Sequence, residues 1–66
     1  MEGYVIRVID EDGKPWYYTK NHTWSRDCTE GKLYLDKRVA YCVKSNNYEK
    51  TASDIWERAK IIKTSM

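Results

Sequence analysis

YVIRVIDEDGKPWYYTKN, residues 4–21, decides the fold of this 66-residue chain. Residues 4–10 read as a strand dominated by the strand formers Tyr, Val and Ile, which alternate with Tyr4, Ile6 and Val8 on one side and Val5, Arg7 and Ile9 on the other. Asp10-Glu11-Asp12-Gly13-Lys14 is a turn signal, and Asp12-Gly13 is its natural centre. Pro15 opens a second strand at a position where its missing N–H does little harm, and Trp16-Tyr17-Tyr18-Thr19-Lys20 continues it. The stretch therefore reads as a β-hairpin.

Loop length sets which side chains share a face. A two- or four-residue loop pairs Ile9 with Trp16, Val8 with Tyr17, Arg7 with Tyr18 and Ile6 with Thr19. One face then carries Tyr4, Ile6, Val8, Tyr17 and Thr19 and is the cleaner core face. The other carries Val5, Arg7, Ile9, Trp16, Tyr18 and Lys20, with Arg7 placed to stack on Tyr18 or Trp16. Left open, that second face is a binding face. A bulged three-residue loop would exchange the faces of the second strand.

Working outward from the hairpin, residues 21–32 form a polar loop containing Trp24, which either folds back to cap the core or stands out as an anchor. Asn21-His22-Thr23 matches a glycosylation sequon but reads as part of that loop. Residues 33–35 read as a short strand, followed by a helix over residues 36–46. Asp36 is its N-cap and Asn46-Asn47 its stop, with Leu35, Val39, Cys42, Val43 and Asn46 on its inward side. Residues 55–63 are ambiguous. Helical spacing collects Ile55, Trp56, Ala59 and Ile62 on one face, with Thr51 or Ser53 as the cap. A hairpin flanked only by helices, however, needs a further strand.

The fold class that follows is α+β in one small domain, residues 1–66. A small antiparallel sheet packs against one helix in strand-strand-helix-strand order, and the alternative makes residues 53–63 a second helix.

Composition narrows the function. Six tyrosines and three tryptophans stand against no phenylalanine. Rings with a polar handle suit surfaces that are partly buried and partly wet. A chain this short buries only about 60% of its unfolded surface, so large rings must supply much of the core. Residues 1–31 hold four basic and six acidic groups and residues 32–66 eight and four, so the halves carry −2 and +4. The basic second half permits an anionic partner without requiring one. The longest apolar run, residues 39–43, falls far short of the ~20 residues a membrane-spanning helix needs. The N-terminal stretch carries Arg7 within its apolar run and no cleavage pattern, so the expected compartment is the cytoplasm, with Cys28 and Cys42 as reduced thiols.

Motifs for catalysis are sparse. Gly3, Gly13 and Gly31 are isolated, so no phosphate loop is present. A Cys–His pair would need the single histidine, His22, with Cys28 or Cys42. Zinc would need a fourth ligand such as Asp27 beside those three, without any CxxC spacing. Asp10, Glu11 and Asp12 lack the spacing of a calcium loop. No enzyme, metal or cofactor is expected.

YVIRVIDEDGKPWYYTKN, the lone Trp24, GKLY at residues 31–34 and WERAKIIK at residues 56–63 together resemble short orphan proteins of bacteriophages and mobile elements. The resemblance implies a compact sheet with one helix in strand-strand-helix-strand order, closed by a strand at residues 56–62. It also implies a role in host interference, and it carries over no functional residues.

The expected function is a non-enzymatic protein-binding module, in the form implied by the resemblance an inhibitor of a host factor. Its anchors are Arg7, Trp16, Tyr18 and Trp24, since Tyr, Trp and Arg dominate interface energetics. A second patch comprises Lys37, Tyr41 and Lys44. A homodimer belongs to the same expectation, because a core this small gains from a partner. The alternative is nucleic-acid binding through the Lys37–Tyr41–Lys44 stripe and the aromatic sheet face. The modest net charge of +2 and the acidic hairpin tip argue against it.

Overall fold

A computed structural model describes residues 2–51 and 54–65. Strands β1 (Glu2–Ile9), β2 (Pro15–Tyr18), β3 (Trp24–Ser25) and β4 (Lys60–Ser65) form one antiparallel sheet in the order β3-β2-β1-β4. Helices α1 (Lys37–Thr51) and α2 (Asp54–Arg58) lie between β3 and β4 in sequence and pack on β1. The α+β class expected from the sequence is therefore the fold, and β4 is the closing strand that the hairpin needs.

The hairpin register departs from the expected one. Arg7 pairs with Tyr17, Val8 with Trp16 and Ile9 with Pro15. The loop has three residues, 11–13. Gly13 N–H donates to Asp10 O at 3.0 Å, Asp10 N–H donates to Lys14 O at 2.9 Å, and Gly13 takes φ +80°. This is a type I turn followed by a left-handed residue, the arrangement that adds one residue to the loop. Asp10 holds it: its Oδ1 accepts the N–H groups of Asp12 (3.0 Å) and Lys14 (2.9 Å). Replacing Gly13 with alanine forces a Cβ into left-handed backbone, and we expect it to cost about 1 kcal/mol in a urea titration. Since nothing lies within 4 Å of a Cβ built at Gly13, any loss reports the backbone alone.

The second hairpin repeats the device without a glycine. His22 N–H donates to Thr19 O (3.1 Å) and Thr19 N–H to Thr23 O (2.8 Å). Thr19 Oγ1 accepts from Asn21 N–H and Thr23 N–H, both at 3.3 Å, as Asp10 does in the first turn. His22 fills the left-handed position at φ 62°. The expected polar loop is thus an ordered turn leading into β3, followed by a 3₁₀ turn, Cys28–Glu30. Asp27 caps that turn by accepting from the Thr29 hydroxyl (2.7 Å) and N–H (2.9 Å), and these bonds hold its carboxyl below the usual range.

Because cross-strand partners share a face, the three-residue loop puts Trp16 and Tyr18 with Ile6 and Val8, on the side the helices cover. The core is Ile6, Val8, Tyr18, Tyr34, Ala40, Trp56 and Ala59, flanked by Tyr4, Trp16, Trp24, Val43, Ile55 and Ile61. At its centre Tyr18, Trp24 and Trp56 form a triangle of rings, with centroids 4.8 Å (Tyr18–Trp56), 5.1 Å (Trp24–Trp56) and 5.3 Å (Tyr18–Trp24) apart. Such tilted and edge-on contacts add to the area the rings bury.

Residues 33–35 form no full strand. Only Tyr34 pairs, in a reciprocal bridge with Tyr4: each N–H donates to the other's carbonyl at 2.7 Å. Helix α1 begins as expected, with Asp36 Oδ1 accepting from Arg38 N–H at 2.9 Å. It does not stop at Asn46-Asn47. Asn47 Nδ2 donates to Val43 O and Thr51 Oγ1 to Asn47 O, both at 2.8 Å, so these polar side chains bond one turn back and the helix continues to Thr51.

The inward side of α1 also differs from the expected one. Ala40 is fully buried and Val43 half-buried, whereas Leu35 and Val39 are 71% and 51% exposed and Cys42 and Asn46 are exposed. A small residue at the contact lets the helix approach β1 closely, and that approach turns the larger apolar stripe outward.

Residues 55–63 are helix and strand in succession, so both readings hold for part of the segment. Ile55, Trp56 and Ala59 pack inward as helical spacing requires, while Ile61 and Ile62 alternate across β4. Of the two expected caps, Thr51 ends α1, and Ser53 lies outside the described residues.

Candidate interaction surface

The register divides the first set of expected anchors. Tyr18 is buried, and Trp24 is half-buried against it and Trp56. Trp16 is half-buried on the same side. Its Nε1–H donates to Asp10 Oδ2 at 3.1 Å, and the Arg26 guanidinium sits 4.4 Å over its ring. Arg26 also pairs with Asp10 at 3.4 Å. The backbone N–H of Lys14, then Trp16, Asp12 and Arg26, hold the Asp10 carboxyl below its usual range against a smaller opposing effect of burial. The hairpin tip is therefore a structural network, and the cation that stacks on Trp16 is Arg26 rather than Arg7.

Arg7 stays on the face away from the helices, with Tyr17 as the only ring from the hairpin there. It borders a hollow of about 440 Å³ lined also by Val5, Cys28, Thr29, Ile62 and Thr64. Lys60 stands directly opposite Arg7 across β1 and β4. The 3₁₀ turn covers the Val5 end, because a Cβ at Gly31 would lie 3.2 Å from Tyr17 Cβ and 3.7 Å from Val5 Cγ1. The expected aromatic binding face therefore reduces to Tyr17, Arg7 and Lys60.

The second expected patch is brought together. Tyr41 and Lys44 line a groove of about 290 Å³ between α1 and α2, with Ser45, Tyr48, Glu49, Trp56 and Glu57. Lys37 lies one turn before Tyr41 on the same side of the helix. Tyr41 and Tyr48 are 60% and 42% exposed. Tyr48 escaped the sequence reading because the helix was expected to end at Asn46. Once α1 runs to Thr51, the spacing 37, 41, 44, 48 is a continuous stripe. Trp56 contributes to the wall of the groove, and its lining carries charges of both signs, from Lys44, Glu49 and Glu57.

Cys28 and Cys42 are free, exposed thiols, in the 3₁₀ turn and on α1 respectively. Among the described residues no three of His, Cys, Asp and Glu stand close enough to hold a metal ion, and no helix is long and apolar enough to cross a membrane. Comparison with protein-family models, with curated proteins and with solved structures finds no match for this chain.

Proposed function

We propose that this protein is a non-enzymatic protein-binding module whose recognition surface is the α1–α2 groove, anchored by Tyr41 and Tyr48. The observation that carries the reading is the pair of outward tyrosines two turns apart on one helix stripe. An aromatic centre with a rim of mixed charge has the anatomy of a protein interface, and tyrosine gives large contact area at low entropic cost. Interference with a host factor, the role implied by the resemblance to short phage proteins, is a binding role of this kind. Leu35, just before α1, and Val39 on its exposed side are the apolar residues a homodimer would cover.

The nucleic-acid reading is weaker on this geometry. Trp16 and Tyr18 face the core, so the far side of the sheet offers one hairpin ring to stack on where the expected face offered two. The Lys37–Tyr41–Lys44 stripe shares its groove with two glutamates.

The test is affinity capture after nuclease treatment, with the wild type and a Tyr41→Ala/Tyr48→Ala variant. Both side chains are largely outside the core, so the variant should fold. We expect a protein captured by the wild type to bind the variant at least about 100-fold more weakly, since each anchor tyrosine is worth about 2 kcal/mol. A partner retained at full affinity, or one lost from the wild type on nuclease treatment, would reject the proposal.

A further inference from the structure

Beside the β2–β3 turn, on the other flank of α1 from the tyrosine groove, lies a hollow of about 270 Å³. Among the described residues ten line it, including Lys20, Lys32, Lys50 and His22, and none of them is a carboxylate. None of the three lysines makes an ion pair among the described residues. Lys32 is held above the Tyr34 ring, with Nζ 5.1 Å from its centroid. Cations set around one hollow without a counter-charge repel one another, and an anion bound there removes that cost.

Two further observations indicate what kind of anion fits. Tyr34 is 5% exposed, yet its hydroxyl has no hydrogen-bond partner among the described residues. Among the described residues no buried side-chain oxygen or nitrogen is left unpaired, so that hydroxyl reaches solvent and is available as a donor. Burial raises the Tyr18 phenol, and burial followed by the neighbouring Tyr18 raises the Tyr34 phenol, so both keep their protons.

His22 occupies a left-handed position that glycine fills in the matching first turn. It does so with its Nδ1 2.9 Å from the Tyr18 hydroxyl. With Tyr18 donating to Nδ1, the imidazole proton lies on Nε2, a second donor. Glycine would take this left-handed position without strain; histidine adds a ring whose Nδ1 is held by Tyr18 and whose Nε2 makes no hydrogen bond among the described residues.

We propose that this hollow binds the phosphate of a small phosphate monoester such as a mononucleotide. Lys20, Lys32 and Lys50 supply the charge, and Tyr34 Oη and His22 Nε2 supply directed hydrogen bonds. The hollow is at the small end for a ligand site. It shares Thr19, Lys20 and Lys32 with an adjoining hollow of about 600 Å³, whose one acidic residue among the described residues is Glu30. The phosphate takes the smaller space and the rest of the ligand the larger. The site is separate from the protein-binding groove, and neither reading depends on the other.

The experiment is an NMR titration of the ¹⁵N-labelled full chain with inorganic phosphate and, separately, with adenosine monophosphate. We expect saturable shifts at Lys20, His22, Lys32 and Lys50. Tighter binding of the nucleotide identifies a nucleotide-type ligand, and equal binding identifies free phosphate as the recognised group.

Lys32→Ala/Lys50→Ala should weaken binding by at least about tenfold. His22→Gly relieves the left-handed backbone but removes the bond to the Tyr18 hydroxyl, so its melting temperature is measured alongside, and the folded protein should bind more weakly. Absence of saturable shifts would overturn the proposal. So would shifts centred on Arg7 and Lys60 or on Lys37 and Lys44, or undiminished binding by a folded His22→Gly protein.

Discussion

Trp56→Ala is expected to remove most of the stability of this domain. Trp56 is 5% exposed and stands at the point where β2, β3 and α2 meet, in edge contact with Tyr18 and tilted contact with Trp24. Truncating a buried tryptophan to alanine costs about 3–5 kcal/mol, as lost transfer energy plus a cavity. A domain of this size holds roughly 3–10 kcal/mol in total. Helix α2, five residues long, cannot persist without tertiary contacts. Its loss would release Ile55 and Ala59 and loosen the start of β4. Far-UV circular dichroism through a urea titration should place the variant largely unfolded at room temperature. Trp56→Phe, which keeps a ring in the triangle, should lose markedly less. A loss below about 1 kcal/mol for the alanine variant would mean that the triangle is not the centre of the core.

Gly3→Val is expected to be the other severe substitution, for a reason that lies in the backbone. A Cβ at Gly3 would come 2.6 Å from Leu33 Cδ1, 2.7 Å from Leu33 Cγ and 2.9 Å from Tyr34 O. The leucine can swing aside. The carbonyl cannot, because it accepts from Tyr4 N–H at 2.7 Å and belongs to the reciprocal bridge that fixes residues 33–35 against β1. Valine must therefore open the bridge and lift the buried Tyr34. Overpacking of this kind costs about 1–3 kcal/mol, and losing a backbone hydrogen bond adds about 1 kcal/mol. The same titration checks it. Unchanged stability would show that residues 33–35 do not depend on their approach to β1.

The elements legible in the sequence were those with local signals. Alternation from Tyr4 to Ile9 gave β1, Asp36 gave the start of α1, and helical spacing put Ile55, Trp56 and Ala59 on one face. The hairpin faces were not legible, because Asp12-Gly13 fits both even- and odd-residue loops, and what distinguishes them is the pairing of Asp10 with Lys14, whose carbonyl accepts the Asp10 N–H. That one-residue difference moved Trp16 and Tyr18 from the expected binding face into the core side. The second turn was hidden because its left-handed residue is histidine rather than glycine. The length of α1 was hidden because Asn47 and Thr51, which favour helix ends, here bond carbonyls one turn back.

The same physics explains what of the candidate site was readable. Lys37, Tyr41 and Lys44 followed from helical spacing and stand together in the structure. Tyr48 required knowing where the helix ends. The outward turn of Leu35 and Val39 required knowing that Ala40 meets the sheet. The abundance of rings indicated both a core and a surface, and the division between them is tertiary. Tyr18, Trp24 and Trp56 fill the interior, and Tyr41 and Tyr48 face outward.

The most direct test of recognition through the α1–α2 groove is site-specific photo-crosslinking. A photoreactive phenylalanine analogue replaces Tyr41, Tyr48 or, on the far side of the sheet, Tyr17, and each protein is irradiated with lysate. One discrete protein adduct is expected, shared by positions 41 and 48 and absent at position 17. An adduct at position 17 with none at 41 or 48 would contradict it and place recognition on the face bearing Arg7 and Lys60.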